Sequence, residues 1–319
     1  MITLDVQDLR TYYSTLRGYV KAVDGISFQV QQGEALGLAG ESGCGKTTTA
    51  LSILRMLPSG GSIEGGHIFF KDTDLVKSSS EEIRKIRWKN ISIVFQGAMN
   101  ALNPVFKVGD QIAEAILTNE PDVGAKEAME RTVKLLEVVG IEADRVDNYP
   151  HEFSGGMRQR ALIAMSIACN PDLLIADEPG TALDVIVQAQ ILRLMRELKR
   201  KLNLSMILIT HDLSIIAETC EKAAIMYAGK IVEYGNIATI FKEPLHPYTK
   251  GLIGAFPSIK AKKQRMLSIP GLPPDLLHPP SGCRFHPRCQ YAMEFCAKKD
   301  PPNTEFTKDH IVACYLVSG

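Results

Sequence analysis

Gly40-Glu41-Ser42-Gly43-Cys44-Gly45-Lys46-Thr47 constrains this chain more than any other stretch. It fits the pattern G-x-x-x-x-G-K-[ST], with the apolar run Ala35–Ala39 before it and a helix-like run, Lys46–Leu57, after it. Glycines let a backbone wrap around an anion with its N–H groups pointing inward. The following helix offers its positive end to the same anion. In such a loop the binding residues are Gly40, Ser42, Gly43, Cys44, Gly45, Lys46, Thr47 and Thr48. Lys46 reaches β/γ-phosphate oxygens, and the Thr47 hydroxyl ligates Mg²⁺. Cys44 fills a free position as a small residue with no redox or metal role.

A second apolar strand, Leu173-Leu174-Ile175-Ala176, ends in Asp177-Glu178. A buried strand delivers such carboxylates to the sheet edge that holds a phosphate loop. Asp177 is the candidate Mg²⁺ holder, and Glu178 is placed to polarise an attacking water. Further strands are predicted over 26–30, 91–95, 206–210, 223–227 and 231–234, the last two as a hairpin around Ala228-Gly229. Residues 105–148 read as helical, and Val185–Leu202 carries apolar residues at helical spacing. The pattern is an α/β core with a mostly helical insertion.

Composition divides the chain. Among 319 residues, 36 basic and 36 acidic side chains cancel. That balance argues against coating nucleic acid or an anionic membrane. Residues 256–319 carry a net charge of +4 and residues 1–255 a net of −4. The same tail holds nine of 17 prolines and four of seven cysteines. We expect a nucleotide-binding domain over 1–255 and a Pro-rich, Cys-containing extension over 256–319. No signal peptide and no apolar run of roughly 18–20 residues is evident, so a cytoplasmic site with reduced thiols is expected.

Four more motifs fall in order. Ser154-Gly155-Gly156-Met157-Arg158-Gln159 resembles the signature of ATP-binding cassette (ABC) proteins, 23 residues before Asp177. Gln96 resembles the Q-loop glutamine, Ala182-Leu183-Asp184 the D-loop, and His211 the switch histidine. The resemblance implies an α/β, P-loop fold class with antiparallel N-terminal strands and a helical subdomain over about 100–155. It implies an ATPase in which Ser154, Gly155 and Gly156 face the ATP of a partner subunit. It gives Asp184 a place at that junction. It also implies that Glu178 and His211 act with Lys46 in hydrolysis, and that Gln96 joins Thr47 and Asp177 around Mg²⁺. An aromatic residue near the N-terminus stacks on adenine in such proteins; Tyr13 is the best placement, with Tyr12 and Tyr19 as alternatives.

Within that family the chain resembles ATP-binding subunits of dipeptide/oligopeptide/nickel importers. The matching stretches are 95–104, His246-Pro247-Tyr248-Thr249, Ile269-Pro270-Gly271 and 280–289. Gly97 departs from a common Asp and Gly180 from a common Thr; neither removes a catalytic group. Cys283, Cys289, Cys296 and Cys314 are spaced x5, x6 and x17. Four thiolates suit tetrahedral Zn²⁺ or an iron–sulfur cluster, without the paired C-x2-C of zinc ribbons. Related subunits carry a [4Fe–4S] cluster on such a tail, so the resemblance implies one here, with Zn²⁺ or free thiols as alternatives. A metal would staple a tail too small for its own core.

The expected function is ATP hydrolysis that energises import of di- or oligopeptides, with oligosaccharides or nickel as alternative solutes. The expected partners are two membrane permease subunits and a homologous ATPase subunit in a heterodimer, or a second copy of the chain. An extracytoplasmic solute-binding protein takes part indirectly, and nucleic acid does not. The chain is expected at the cytoplasmic face of the membrane. The rival is a non-transport ABC ATPase in DNA repair or translation. Against it stand the single cassette and the lack of sustained heptads or a basic stripe.

Overall fold

The computed structural model describes residues 1–95, 97, 101–181, 183–255 and 269–317. Gln96 and Ala182, both singled out above, lie outside the described residues, as do residues 256–268, where the Pro-rich extension is expected to begin.

In chain order the elements open with strands β1 (Ile2–Thr15), β2 (Gly18–Gln31) and β3 (Ala35–Ala39), then helix α1 (Lys46–Ile53). Strands β4 (Gly61–Phe70) and β5 (Thr73–Asp74) precede α2 (Ser80–Ile86) and β6 (Ile91–Val94). Helices α3 (Val108–Asn119), α4 (Ala125–Val138) and α5 (Gly155–Ser166) follow, then β7 (Leu173–Asp177), α6 (Val185–Leu202) and β8 (Ser205–Thr210). Next come α7 (Leu213–Thr219), β9 (Lys222–Tyr227), β10 (Lys230–Asn236), α8 (Ile237–Lys242) and α9 (Pro247–Gly254). Strands β11 (Asn303–Thr307) and β12 (His310–Ala313) close the chain.

The chain divides into two compact units. The first is Met1, Gln31–Gly33 and Ser78–Ile207. Its strands β6 and β7 are parallel and buried along their whole length, with Ile91 opposite Leu173 and Val94 opposite Ala176. Continuous apolar strands of this kind are covered on both faces. Helix α6 buries Ile191, Leu194, Met195 and Leu198, the i, i+3, i+4, i+7 stripe that sequence spacing predicts. It ends where Asn203 turns left-handed at φ 49°, with Lys199, Arg200 and Lys201 on its negative end. The predicted helical insertion is α3 and α4, which bury Ile112, Ile116, Ala128 and Leu136.

The second unit is Ile2–Val30, Glu34–Lys77 and Leu208–Gly319. One antiparallel sheet runs β2-β1-β4-β5. The other runs β11-β12-β10-β9-β3, with β3 parallel to β9 and the rest antiparallel. The expected hairpin forms at Ala228 and Gly229, both at positive φ, as a tight primed turn requires. Residues Asn303–Ala313 of the Pro-rich tail thus add two strands beside β10, with Glu233 opposite Val312.

Helix α1 is shorter than the predicted 46–57. Arg55 adopts a left-handed φ of 49°, and the Met56 and Arg55 N–H groups donate to the carbonyls of Leu51 and Ser52. That is a Schellman closure, which stops the helix before Pro58 can act.

Candidate nucleotide site

The phosphate loop joins β3 to α1 in the second unit. Gly40 has φ +150°, and a Cβ there would lie 2.1 Å from the Met226 carbonyl oxygen of β9, so only glycine fits. Lys46 is 7% exposed. Its ammonium donates to the Gly40 carbonyl at 2.7 Å and the Glu41 carbonyl at 3.0 Å, and lies 3.7 Å from Cys44 Sγ. Cys44 and Gly45 are buried, and burial pushes the Cys44 thiol up, as suits a packing residue. Ser42, Gly43 and Thr47 are exposed and Thr48 half-buried, so the mouth of the loop is open. The first N–H groups of α1 have no intrahelical acceptor and are available to an anion.

Tyr13 sits opposite Gly61 in the β1–β4 register, with its hydroxyl 3.4 Å from Thr48 Oγ1. Tyr12 instead donates to Asp24 Oδ1 at 2.6 Å, and burial with that carboxylate pushes its phenol up to about 12. Tyr19 is exposed. His211 is exposed just after β8, and Asp212 behind it caps α7 by accepting from the Ser214 N–H at 2.8 Å.

The first unit holds the other half of the motif set. Asp177 ends β7 with 1% exposure. Glu178 is half-buried and left-handed at φ 47°, a strained conformation for this residue type. The Thr181 hydroxyl donates to Glu178 Oε2 at 2.9 Å, which fixes one carboxylate oxygen. Ser154 caps α5, its Oγ accepting from the Met157 N–H at 3.3 Å. Gly155 and Gly156 form the first turn, and a Cβ on Gly156 would lie 2.7 Å from Val187 on α6. Asp184 caps α6, accepting from the Val187 N–H at 2.9 Å.

Two residues outside the nucleotide-site motifs converge on the phosphate loop within the second unit. Tyr248 Oη accepts the Glu41 N–H at 2.9 Å. Arg288 grips the Glu41 carboxylate with both guanidinium arms, at 2.6 and 3.0 Å. Tyr248 and Arg288 lie in stretches legible as family-like, but their separations of 207 and 247 residues from Glu41 hide the contact.

The expected metal centre of the tail is not borne out. Cys283, Cys289, Cys296 and Cys314 line a small cavity of about 20 Å³. Yet among the described residues no group of three or more His, Cys, Asp or Glu side chains is arranged to hold a metal ion, and all four are free thiols. The residues present therefore fit neither a [4Fe–4S] cluster nor Zn²⁺. Burial, reinforced by the neighbouring thiols, pushes Cys283 up to about 11, and burial also raises Cys289 and Cys314. Cys296 Sγ accepts the Met293 N–H at 3.4 Å, and the Cys283 N–H donates to the Cys296 carbonyl at 2.8 Å. The tail is held by other means. β12 pairs with β10, and Phe285 packs on Tyr227, Tyr248 and His246. Arg284 bonds Asp24 and the Ala228 carbonyl.

An open-mouthed phosphate loop on a strand–loop–helix, an acid-ended parallel strand and a Ser-capped glycine helix define an ABC-type ATPase. Residues 23–181 match the ABC transporter family model, and residues 232–296 match the oligopeptide/dipeptide transporter C-terminal region. The oligopeptide transport ATP-binding protein OppD of Escherichia coli is 47% identical, over 98% of this chain and 92% of its own length. The dipeptide transport ATP-binding protein DppD of Bacillus subtilis is 46% identical, over 98% and 94%. The solved structure of cbiO1 from Clostridium perfringens, part of the ABC transporter complex cbiONQ, superposes with a TM-score of 0.66 at 28% identity, over 76% of this chain and 91% of that one. The chain belongs to the ABC transporter family, in the branch of oligopeptide and dipeptide transport ATP-binding proteins, and is an ATPase of the transport class.

Proposed function

We propose that the chain hydrolyses ATP at the interface of two head-to-tail ATPase subunits and so drives uptake of di- or oligopeptides through two separate membrane permeases. The observation that carries this reading is the pre-placed Lys46 ammonium. It is buried, held among the described residues by neutral acceptors of its own loop, and lies beneath the exposed Ser42, Gly43 and Thr47. A cation so held is ready to exchange those acceptors for β/γ-phosphate oxygens. The backbone from Gly40 to Thr48 cradles the phosphates, and Tyr13 stacks on adenine. The hard oxygens of Thr47 and the buried Asp177 suit Mg²⁺, which would neutralise charge on the β- and γ-phosphates. Gln96 is assigned with them by family resemblance. Glu178 orients and deprotonates the attacking water, and His211 contacts the γ-phosphate. Ser154, Gly155 and Gly156 present a capped helix start to the partner's nucleotide, with Asp184 at the same junction.

The second ATPase subunit is a homologue in a heterodimer, or another copy of the chain. A solute-binding protein outside the membrane supplies the peptide. No helix among the described residues is long and apolar enough to cross a membrane, which supports peripheral attachment at the cytoplasmic face through the permeases. Residues 256–319 act as an extension of the nucleotide-binding body 1–255.

The test is Glu178→Gln in the assembled transporter. Turnover should fall by about 10²- to 10⁴-fold, the usual contribution of a general base, while MgATP binding persists. Turnover at the wild-type rate would remove Glu178 from its assigned role.

A further inference from the structure

We propose that the C-terminal extension latches the phosphate loop through a bidentate Arg288–Glu41 pair, making Arg288 a positioning residue for nucleotide binding. The proposal rests on the reading of Gly40–Thr48 as the ATP site.

Glu41 occupies a free position of the loop motif, and a carboxylate is a poor choice there. It lies in a loop built to receive polyphosphate, and like charges at this range repel. Arg288 resolves the conflict. Its Nη1 and Nη2 bond the two carboxylate oxygens at 2.6 and 3.0 Å. Fork-to-fork pairing cancels the charge and fixes its direction.

The guanidinium is itself held firmly. Nε donates to the Pro270 carbonyl at 2.7 Å, Nη1 to Tyr227 Oη at 3.3 Å, and the group lies over the Tyr227 ring at 5.6 Å. The Arg288 side chain is 6% exposed and that of Glu41 28%. Arg288 is thus the anchored partner and the loop is the part it restrains.

The grip extends to the backbone. The Glu41 N–H is fixed by Tyr248 Oη, and Tyr248 is fully buried against Tyr227 and Phe285. The Glu41 carbonyl accepts from Lys46 Nζ at 3.0 Å and from the Cys44 N–H at 3.3 Å. Glu41 therefore joins the extension to the lysine that must reach the phosphates. Releasing its side chain frees a negative charge beside the nucleotide and loosens an acceptor that sets where Lys46 waits.

The test is steady-state ATPase of the transporter assembled with the full-length chain. Arg288→Ala should raise KM for MgATP about tenfold, the scale of one uncompensated charge at short, partly screened range, with kcat changed far less. Adding Glu41→Gln to that variant should restore KM to within about threefold of wild type, because the offending charge is gone. An unchanged KM in Arg288→Ala, or no rescue in the double variant, overturns the latch. Where Arg288→Ala does not fold, Arg288→Gln with Glu41→Gln replaces the ion pair by an amide pair. A KM within about threefold of wild type then supports charge cancellation, and a tenfold rise overturns it. Lys46→Ala tests the underlying site separately. If it leaves MgATP binding intact the site assignment fails, whereas loss of binding there with a silent Arg288→Ala fails the latch alone.

Discussion

The phosphate loop and the cysteine tail are the two densest patterns in the chain, and they are built on opposite terms. In the loop a buried cation rests on carbonyls five and six residues away, beneath an exposed rim. In the tail four thiols line a small cavity, burial raises those of Cys283, Cys289 and Cys314, and Cys296 Sγ accepts a backbone N–H. The loop seats its own lysine by short-range bonds, while Arg288 and Tyr248 fix the Glu41 beside it. Thiols spread over 32 positions carry only the chemistry that their packing permits. The tail acts through arginines instead, Arg284 on Asp24 and Arg288 on Glu41.

Substitutions separate the two regions by size of effect. Gly40→Ala should be the most severe. A Cβ 2.1 Å from the Met226 carbonyl, at φ +150°, should cost about 3 kcal/mol or more and abolish nucleotide binding. Denaturant melts and MgATP titration check both effects, and a folded, ATP-binding variant would show that the loop is not held against β9.

An intermediate effect is expected at His246, whose Nδ1 accepts the Tyr248 N–H at 3.0 Å. Complete burial lowers its pKa from 6.5 to about 3, so the folded state holds the ring neutral. Its contribution to stability is present above pH 6.5 and lost as pH falls from there towards about 3. His246→Asn keeps an acceptor without titrating, so its stability should fall less steeply over that window in pH-dependent melts. An equally steep acid limb would assign the effect to other groups.

The smallest effect belongs to the tail sulfurs. Cys296→Ala should cost about 1 kcal/mol through lost packing and leave KM for ATP unchanged. A shift in KM would tie the cysteine cavity to the phosphate loop and blur the contrast between the regions.

Much of the local geometry of the candidate site was legible because each piece is local. Ser154 and Asp184 are side-chain N-caps whose bonds reach three residues ahead, and Asp177 ends a strand whose burial is written in five consecutive residues. The end of α1 was placed too late, at Leu57, because a left-handed Arg55 has no propensity signal. The metal reading failed for a related reason. Spacing states how many thiols exist, not where four sulfurs point.

By itself the sequence determined the phosphate loop, the buried strands β3, β6, β7 and β8, helix α6, the β9–β10 hairpin and membership of the ABC family, since these rest on contacts between near neighbours or on patterns along the chain. The tertiary structure alone decided that the Pro-rich tail joins the sheet beside β10 and that Arg288 meets Glu41 across 247 residues. Those contacts depend on which buried surfaces close against each other, and no local preference along the chain encodes that closure.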